Sequence, residues 1–124
     1  MRIGFIGMGN MARAIVEGWL RAGTVCAEDV GAVAKRFDRL NAYARETGIC
    51  AMHSVREVAE WADMIVIAVK PDTVEQVIVE CGCEKPILSV ADGWTCEKYL
   101  SVLGKGARVQ HILPNTPCRV GEGV

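Results

Sequence analysis

The chain has 124 residues, of which 51% are hydrophobic and 23% charged, and its formal net charge is −1. This length and composition predict one globular domain and exclude a disordered, collagenous or coiled-coil protein. Fourteen basic residues balance fifteen acidic ones without forming a block of one sign, so charge predicts neither nucleic acid nor a membrane as partner. Because the sequence has no apolar run of about 20 residues and no signal-peptide core, we expect a cytoplasmic protein.

Six cysteines are spread along the chain without a CxxC pair. Zinc sites and disulfide frameworks of small proteins use closer and more regular spacings than these. We therefore expect reduced structural thiols, and no metal, in preference to a zinc site or a disulfide framework.

The first half of the chain alternates short apolar runs with helical patterns. A buried strand is predicted at residues 3–6, and an amphipathic helix over residues 11–20 follows it and ends at Gly23. A second strand is predicted at residues 30–34, before a helical pattern over residues 37–44. The order is therefore strand, helix, strand, helix.

The second half continues the alternation. Ser54 and Glu57 form a capping-box signature that predicts a helix through Trp61. Strands are predicted at residues 49–51, 64–69, 87–91 and 108–113, and further helices at residues 74–81 and 96–103. Six strands alternating with five helices predict an α/β fold, a Rossmann-type doubly wound parallel sheet in a single domain over residues 1–113. Ligands of such sheets bind beyond the carboxyl ends of the strands, so candidate site residues should follow strands.

A glycine-rich turn joins the first strand to the first helix. Gly7 and Gly9 are followed by Ala12 in the spacing GxGxxA. In a dinucleotide fingerprint the first glycine permits the tight turn, the second lets the backbone approach a pyrophosphate, and the third small residue packs helix against strand. Because this turn lies between a strand and an amphipathic helix, it predicts a dinucleotide site in preference to a plain structural turn.

Two readings of the second strand lead to different cofactors. Glu28 and Asp29 lie about twenty residues beyond the glycines, where an acid that binds the ribose of NAD is expected. If residues 24–27 form the strand, this acidic pair lies near the ligand and NAD is favoured. If residues 30–34 form it, Lys35 and Arg36 lie at the ligand end, where bases suit the 2′-phosphate of NADP. We favour NADP, with NAD possible, and the alternative for Lys35 and Arg36 is a pair of solvated charges.

Turns also follow the later strands. Ala68-Val69-Lys70-Pro71 comes after the fourth strand, where proline fixes the turn and removes an amide that would need a partner. Lys70 either contacts a ligand or faces solvent. Pro114-Asn115-Thr116-Pro117 ends regular structure after the sixth strand. We expect residues 114–124 to begin a linker.

These motifs, in order and spacing, resemble pyrroline-5-carboxylate reductase, whose N-terminal NADP-binding domain would cover essentially the whole chain. The resemblance implies NAD(P)H-dependent reduction of the C=N bond of 1-pyrroline-5-carboxylate to L-proline, in proline biosynthesis. It also implies a C-terminal helical domain, absent from these residues, and a homo-oligomer in the full-length form. The residues themselves offer no paired carboxylates, no nucleophile with a base and no metal cluster, so we expect no catalytic side chain, in agreement with hydride transfer by a cofactor. The residues that the resemblance places at the dinucleotide are Gly7, Met8, Gly9, Asn10, Met11, Ala12, Lys35, Arg36, Ser54, Ala68, Val69, Lys70, Pro71, Ala91 and Asn115.

Two residues depart from the pattern of that family. Asp92 stands where a small apolar residue is usual, and an acid beside the nicotinamide would repel an anionic substrate. His111 stands where an arginine is usual; we expect it and His53 to be packing or surface residues and not catalysts.

Two other functions are alternatives to a pyrroline-5-carboxylate reductase. One is a reductase of another imine or of a hydroxyacid, and the other is a nucleotide-binding module without catalysis.

Overall fold

The computed structural model describes residues 1–81, 85–90, 96–104 and 108–111. The strands are β1 (Ile3–Ile6), β2 (Val30–Val33), β3 (Cys50–Ala51), β4 (Met64–Ile67), β5 (Ile87–Ser89) and β6 (Val109–His111). The helices are α1 (Asn10–Ala22), α2 (Phe37–Thr47), α3 (Val55–Trp61), α4 (Pro71–Cys81) and α5 (Cys96–Leu103), with a short 3-10 helix at Ala27–Asp29.

All strand pairs are parallel, and the sheet has the order β3-β2-β1-β4-β5-β6. The central strand β1 pairs with β2 on one side, Ile6 opposite Val33, and with β4 on the other, Ile6 opposite Ile67. The chain therefore leaves β1 in one direction along the sheet and returns to its other side at β4. This reversal is the switch point at which ligands bind in doubly wound sheets, so the predicted fold class is confirmed.

Helices cover both faces of the sheet. Phe5 is fully buried and packs with Val16 of α1 and Leu40 of α2 in one apolar cluster. The other face holds a second cluster in which Ile67 packs with α3, α4 and α5, including the fully buried Tyr99. Burial on both faces explains why the strands are continuous apolar runs and not alternating patterns.

Two strand glycines let α3 approach the sheet closely. Gly4 of β1 and Gly31 of β2 are register partners. A Cβ on Gly4 would lie 2.4 Å from Cγ1 of Val58, and one on Gly31 would lie 2.8 Å from the Trp61 ring. A side chain at either position would thus push α3 away from the sheet.

The strand ends differ from prediction by one or two residues. β2 ends at Val33 where residue 34 was expected, and β4 ends at Ile67 where residue 69 was expected. The fourth strand stops early because residues after Ala68 enter a turn in which the Thr73 N–H donates to the Lys70 carbonyl at 2.9 Å. Residues 91 and 112–124, which include the ends of the last two predicted strands and the proposed linker, lie outside the described residues.

Cys26, Cys50 and Cys81 are free thiols. Burial, assisted by the charge of Glu80, raises the pKa of the Cys81 thiol to about 12. Across the described ranges no three His, Cys, Asp or Glu side chains come together as a metal site would require. None of the described helices has both the length and the hydropathy of a membrane span.

Candidate functional site

The turn after β1 lies at the switch point and is tied to both neighbouring strands. The Gly7 N–H donates to the Val33 carbonyl, and the Ala68 N–H donates to the Ile6 carbonyl, each at 2.8 Å. Gly7 has φ +97°, and a Cβ there would lie 2.6 Å from the Ala68 carbonyl oxygen. The positive φ and the close backbone leave room only for glycine, which is the role predicted for the first glycine of the motif.

Gly9 forms the N-cap of α1 and faces open space. Its φ of −86° and ψ of −166° are extended, no side chain caps the helix, and nothing lies within 4 Å of the position that a Cβ would occupy. The first turn of α1 contains no acidic residue, and Asn10 and Met11 are exposed. Uncapped amides at the start of a 13-residue helix favour an anion in that space.

The apolar residues of the motif hold this turn against the core. Met8 is 7% exposed and Ala12 is 1% exposed, and both belong to the cluster around Phe5. The Met8 side chain is therefore a packing group, and its backbone is what the turn presents to a ligand. Ala12 packs the helix against the sheet as the motif predicts.

The second strand places the basic pair at the same edge. Because β2 is Val30–Val33, Lys35 and Arg36 follow its carboxyl end, and both are exposed. Glu28 and Asp29 lie in the 3-10 helix before β2, at the opposite edge of the sheet. The strand reading that favoured NADP is confirmed, and the reading with a strand at residues 24–27 is wrong.

Arg36 is positioned by an ion pair with Asp38 on the surface. Its Nε donates to Oδ1 of Asp38 at 3.2 Å and its Nη2 to Oδ2 at 3.1 Å. These hydrogen bonds raise the pKa of Arg36 and lower that of Asp38. Arg36 therefore stays charged, while Lys35 has no ion pair among the described residues.

Ser54 lies at the carboxyl end of β3 and caps the next helix. Its Oγ accepts a hydrogen bond from the Glu57 N–H at 3.1 Å. The predicted cap is confirmed. Ser54 is exposed at the ligand edge, so capping leaves its hydroxyl accessible from solvent.

The turn after β4 forms the other wall of the switch point. Ala68 and Val69 are half-buried, Lys70 is exposed, and Pro71 begins α4. Cγ1 of Val69 would lie 3.0 Å from a Cβ on Gly7, so the turns after β1 and β4 are in close contact. The structure thus brings these predicted residues together with the glycine turn.

Sequence reasoning missed an aromatic pair at this edge. The rings of Phe37 and His53 stack with centroids 4.1 Å apart and an angle of 23° between their planes. Phe37 directly follows Arg36, and His53 directly precedes Ser54, so each flanks a predicted site residue. This adjacency to predicted site residues was the only hint in the sequence that Phe37 and His53 belong to the site. Their contact itself could not be predicted from the sequence, because it joins loops that follow different strands.

Ala91, Asp92 and Asn115 lie outside the described residues. His111 is the last residue of β6 and pairs in register with Ser89 of β5. The hydroxyl of Ser89 hydrogen-bonds that of Tyr99 at 2.5 Å within the core. The hydrogen bond thereby joins the carboxyl end of β5 to the middle of α5.

A cavity of about 400 Å³ lies at the opposite edge of the sheet, beside the amino ends of β1 and β4. Its walls include Ile3, Trp19, Val25 and Met64. None of the predicted cofactor residues lines it, so it is separate from the candidate site.

Known proteins match the chain throughout. A family described as "NADP oxidoreductase coenzyme F420-dependent" matches residues 2–93. Pyrroline-5-carboxylate reductase of Treponema pallidum is 35% identical over 100% of this chain and 49% of its own length, and that of Escherichia coli is 34% identical over 99% and 47%. The chain therefore spans about half the length of the curated relatives it matches.

The chain is also similar in fold to solved structures of pyrroline-5-carboxylate reductases. Plasmodium falciparum pyrroline carboxylate reductase with NADP bound has a TM-score of 0.86 and 29% identity, covering 99% of this chain and 45% of its own. The Coxiella burnetii pyrroline-5-carboxylate reductase has a TM-score of 0.86 and 32% identity, covering 98% and 47%. An imine reductase from Myxococcus stipitatus, at 19% identity and a TM-score of 0.73, shares the fold. The chain belongs to the family described as NADP oxidoreductase, coenzyme F420-dependent, and its resemblance to the N-terminal NADP-binding domain of pyrroline-5-carboxylate reductases is confirmed.

Proposed function

We propose that this chain is the cofactor-binding half of an oxidoreductase that reduces 1-pyrroline-5-carboxylate to L-proline with NADPH. Bound NADPH would supply the hydride that the imine carbon takes up, being converted to NADP⁺. The imine nitrogen takes a proton from water or from the second half that the relatives possess. Matches to pyrroline-5-carboxylate reductases over the whole chain support this substrate.

The glycine turn at the switch point is the observation that carries the proposal. The space in front of Gly9 is bounded by the start of α1, and a Cβ at Gly9 would project into it. A pyrophosphate fits there because backbone amides and the helix dipole favour an anion while no side chain obstructs its approach. Backbone groups of residues 7–12 would hold it, Asn10 and Met11 being the exposed members of the set.

The basic pair supports NADPH in preference to NADH. Lys35 and Arg36 follow the strand next to β1, on the side where the adenosine half of a dinucleotide lies in such folds. A 2′-phosphate there would receive charge-assisted hydrogen bonds from both. Binding of NADH remains possible because the pyrophosphate site is common to both cofactors.

The nicotinamide half of the site would lie on the β4 side of the switch point, where residues 68–71 would line the nicotinamide ribose. On the other side of β1, Ser54 would contact the cofactor from the end of β3. Ala91 and Asn115 are proposed at the nicotinamide end on the family resemblance alone. The described residues contribute binding and orientation, since the hydride donor is the cofactor itself.

The remaining proposals concern the longer protein. Residues 114–124 would begin the linker to a helical domain that completes the substrate site and forms a homo-oligomer. The relatives have about as many residues beyond the matched half as within it, which leaves room for such a domain. We propose a cytoplasmic location and no nucleic-acid partner.

Two experiments test the proposal. Residues 1–124 are titrated with NADPH and NADH, and a chimera joins them to the remaining half of the Escherichia coli relative. We expect NADPH to bind more tightly than NADH, and the chimera to oxidise NADPH when 1-pyrroline-5-carboxylate is present. Absence of NADPH binding would refute a dinucleotide site. If the chain binds NADPH but the folded chimera reduces only other imines or hydroxyacids, a reductase of another substrate is favoured. If the folded chimera reduces none of these substrates, a nucleotide-binding module is favoured.

A further inference from the structure

The stacked rings of Phe37 and His53 form an aromatic platform at the ligand edge. Phe37 is half-buried and packs against the core cluster around Phe5, while the His53 side chain is exposed. Because Phe37 covers one face of the imidazole, the exposure of His53 is concentrated on the opposite face and the ring edges. The core thus supports an aromatic surface that points away from it.

The backbone on both sides of His53 is also fixed. The Met52 N–H donates to the Ala32 carbonyl at 2.8 Å, which holds the chain leaving β3 against β2. On the other side, Ser54 caps α3 through the Glu57 N–H. His53 is therefore placed before any ligand arrives, which reduces the entropy lost on binding.

The surroundings of the platform indicate the ligand group it suits. Phe37 is the neighbour in sequence of the basic pair Lys35 and Arg36. A flat aromatic face beside two cations fits a heteroaromatic base whose sugar carries a phosphate. The platform lies at β2 and β3, on the opposite side of β1 from the turn after β4, where the nicotinamide ribose is proposed.

We propose that the adenine ring of NADPH stacks on the exposed face of His53, with Phe37 supporting the imidazole from behind. This inference rests on the proposed dinucleotide site and adds His53 as a residue that determines affinity for its adenine end. The stacking is an aromatic contact, so a different ring at position 53 should replace the imidazole. Phe37 acts as a positioning residue.

The test compares His53→Ala with His53→Phe in the 124-residue chain. Each is titrated with NADPH and with adenosine 2′,5′-bisphosphate, which has the adenine and the 2′-phosphate but no nicotinamide. His53→Ala should weaken both ligands by a similar factor of about tenfold. His53→Phe should remain within about threefold of the parent chain, because it keeps the stacking surface. Because the side chain is exposed, both variants should melt near the parent temperature.

The other outcomes overturn the inference in distinguishable ways. If the parent chain binds NADPH and His53→Ala binds it equally well, the platform has no part in the site while the proposed function stands. If both variants lose affinity alike, a polar nitrogen of His53 and not its stacking surface makes the contact. If the parent binds neither ligand, the proposed function fails together with the platform.

Discussion

The two glycines of the turn after β1 should differ in what one added methyl group does. At Gly7 it should destabilise the fold, whereas at Gly9 it should leave the fold intact and weaken NADPH binding. Gly7→Ala forces a side chain into φ +97°, where an L-residue is strained by about 1–3 kcal/mol. Its Cβ would also lie 2.6 Å from the oxygen and 2.9 Å from the carbon of the Ala68 carbonyl. These are backbone atoms of the turn after β4, so they cannot rotate away, and overpacking of this kind costs about 1–3 kcal/mol.

The two costs sum to about 2–6 kcal/mol, a large share of the about 5–15 kcal/mol that stabilises a domain. For a chain of this size each kcal/mol lowers Tm by roughly 4 °C, so Gly7→Ala should melt about 8–24 °C below the parent. The turn should open at the contact between β1 and β4. Loss of NADPH binding would then follow from loss of structure.

Gly9→Ala should leave the fold intact. Its φ of −86° suits any residue, and no atom lies within 4 Å of the added Cβ. Alanine is a poorer N-cap than glycine by up to about 1 kcal/mol, and the smaller entropy of the unfolded chain offsets about 0.4–1 kcal/mol of that. Tm should therefore stay within about 4 °C of the parent. The methyl group fills the space proposed for the pyrophosphate, so NADPH affinity should fall at least tenfold.

Thermal melting by circular dichroism and fluorescence titration with NADPH, applied to both variants, measure the two effects separately. A Gly7→Ala chain with the Tm of the parent would show that no strain or overpacking arises at Gly7. A Gly9→Ala chain that keeps its NADPH dissociation constant would show that Gly9 faces no ligand. A Gly9→Ala chain that unfolds would show that the open space beside it is occupied by protein.

Two further substitutions and one assay of the unaltered chain test other parts of the site. Replacing Lys35 and Arg36 together by alanine should lower the ratio of the NADH to the NADPH dissociation constant, measured by calorimetry, by about tenfold or more. The control Arg45→Ala, at the other end of α2, should leave this ratio unchanged. Ser54→Ala should destabilise the domain by about 1 kcal/mol in urea unfolding through loss of the helix cap, and Ser54→Asp should retain most of that stability. A polypeptide of residues 1–124 should bind NADPH without oxidising it in the presence of 1-pyrroline-5-carboxylate, because we propose that the other half of the relatives' length completes the substrate site. Steady oxidation by pure material would contradict this.

The sequence predicted the order of elements because each strand is a short apolar run and each helix a 3.6-residue pattern. It also predicted the roles of Gly7 and Ser54, since a tight turn and a helix cap are local. The ends of the strands were less predictable. Ala68 and Val69 continue the apolar run of β4, yet β4 ends at Ile67 and the chain turns before Pro71 begins α4.

Contacts between separate loops were beyond sequence reasoning. The stack of Phe37 on His53 joins the ends of two neighbouring strands. The close approach of α3 to Gly4 and Gly31 depends on their register. Neither contact has a local pattern, because each arises from residues that become neighbours only when the sheet forms.

The preference for NADPH depends on where one strand begins. Glu28-Asp29 and Lys35-Arg36 bracket the same four-residue strand, so moving the strand by a few residues would exchange which pair faces the ligand. The parallel register, with Ile3 opposite Val30 and Ile6 opposite Val33, fixes both strands in one direction. The acidic pair is therefore at the amino edge and the basic pair beside the glycine turn. We therefore expect that edge to attract a 2′-phosphate, whereas the ribose hydroxyls of NADH would meet no carboxylate from Glu28 or Asp29.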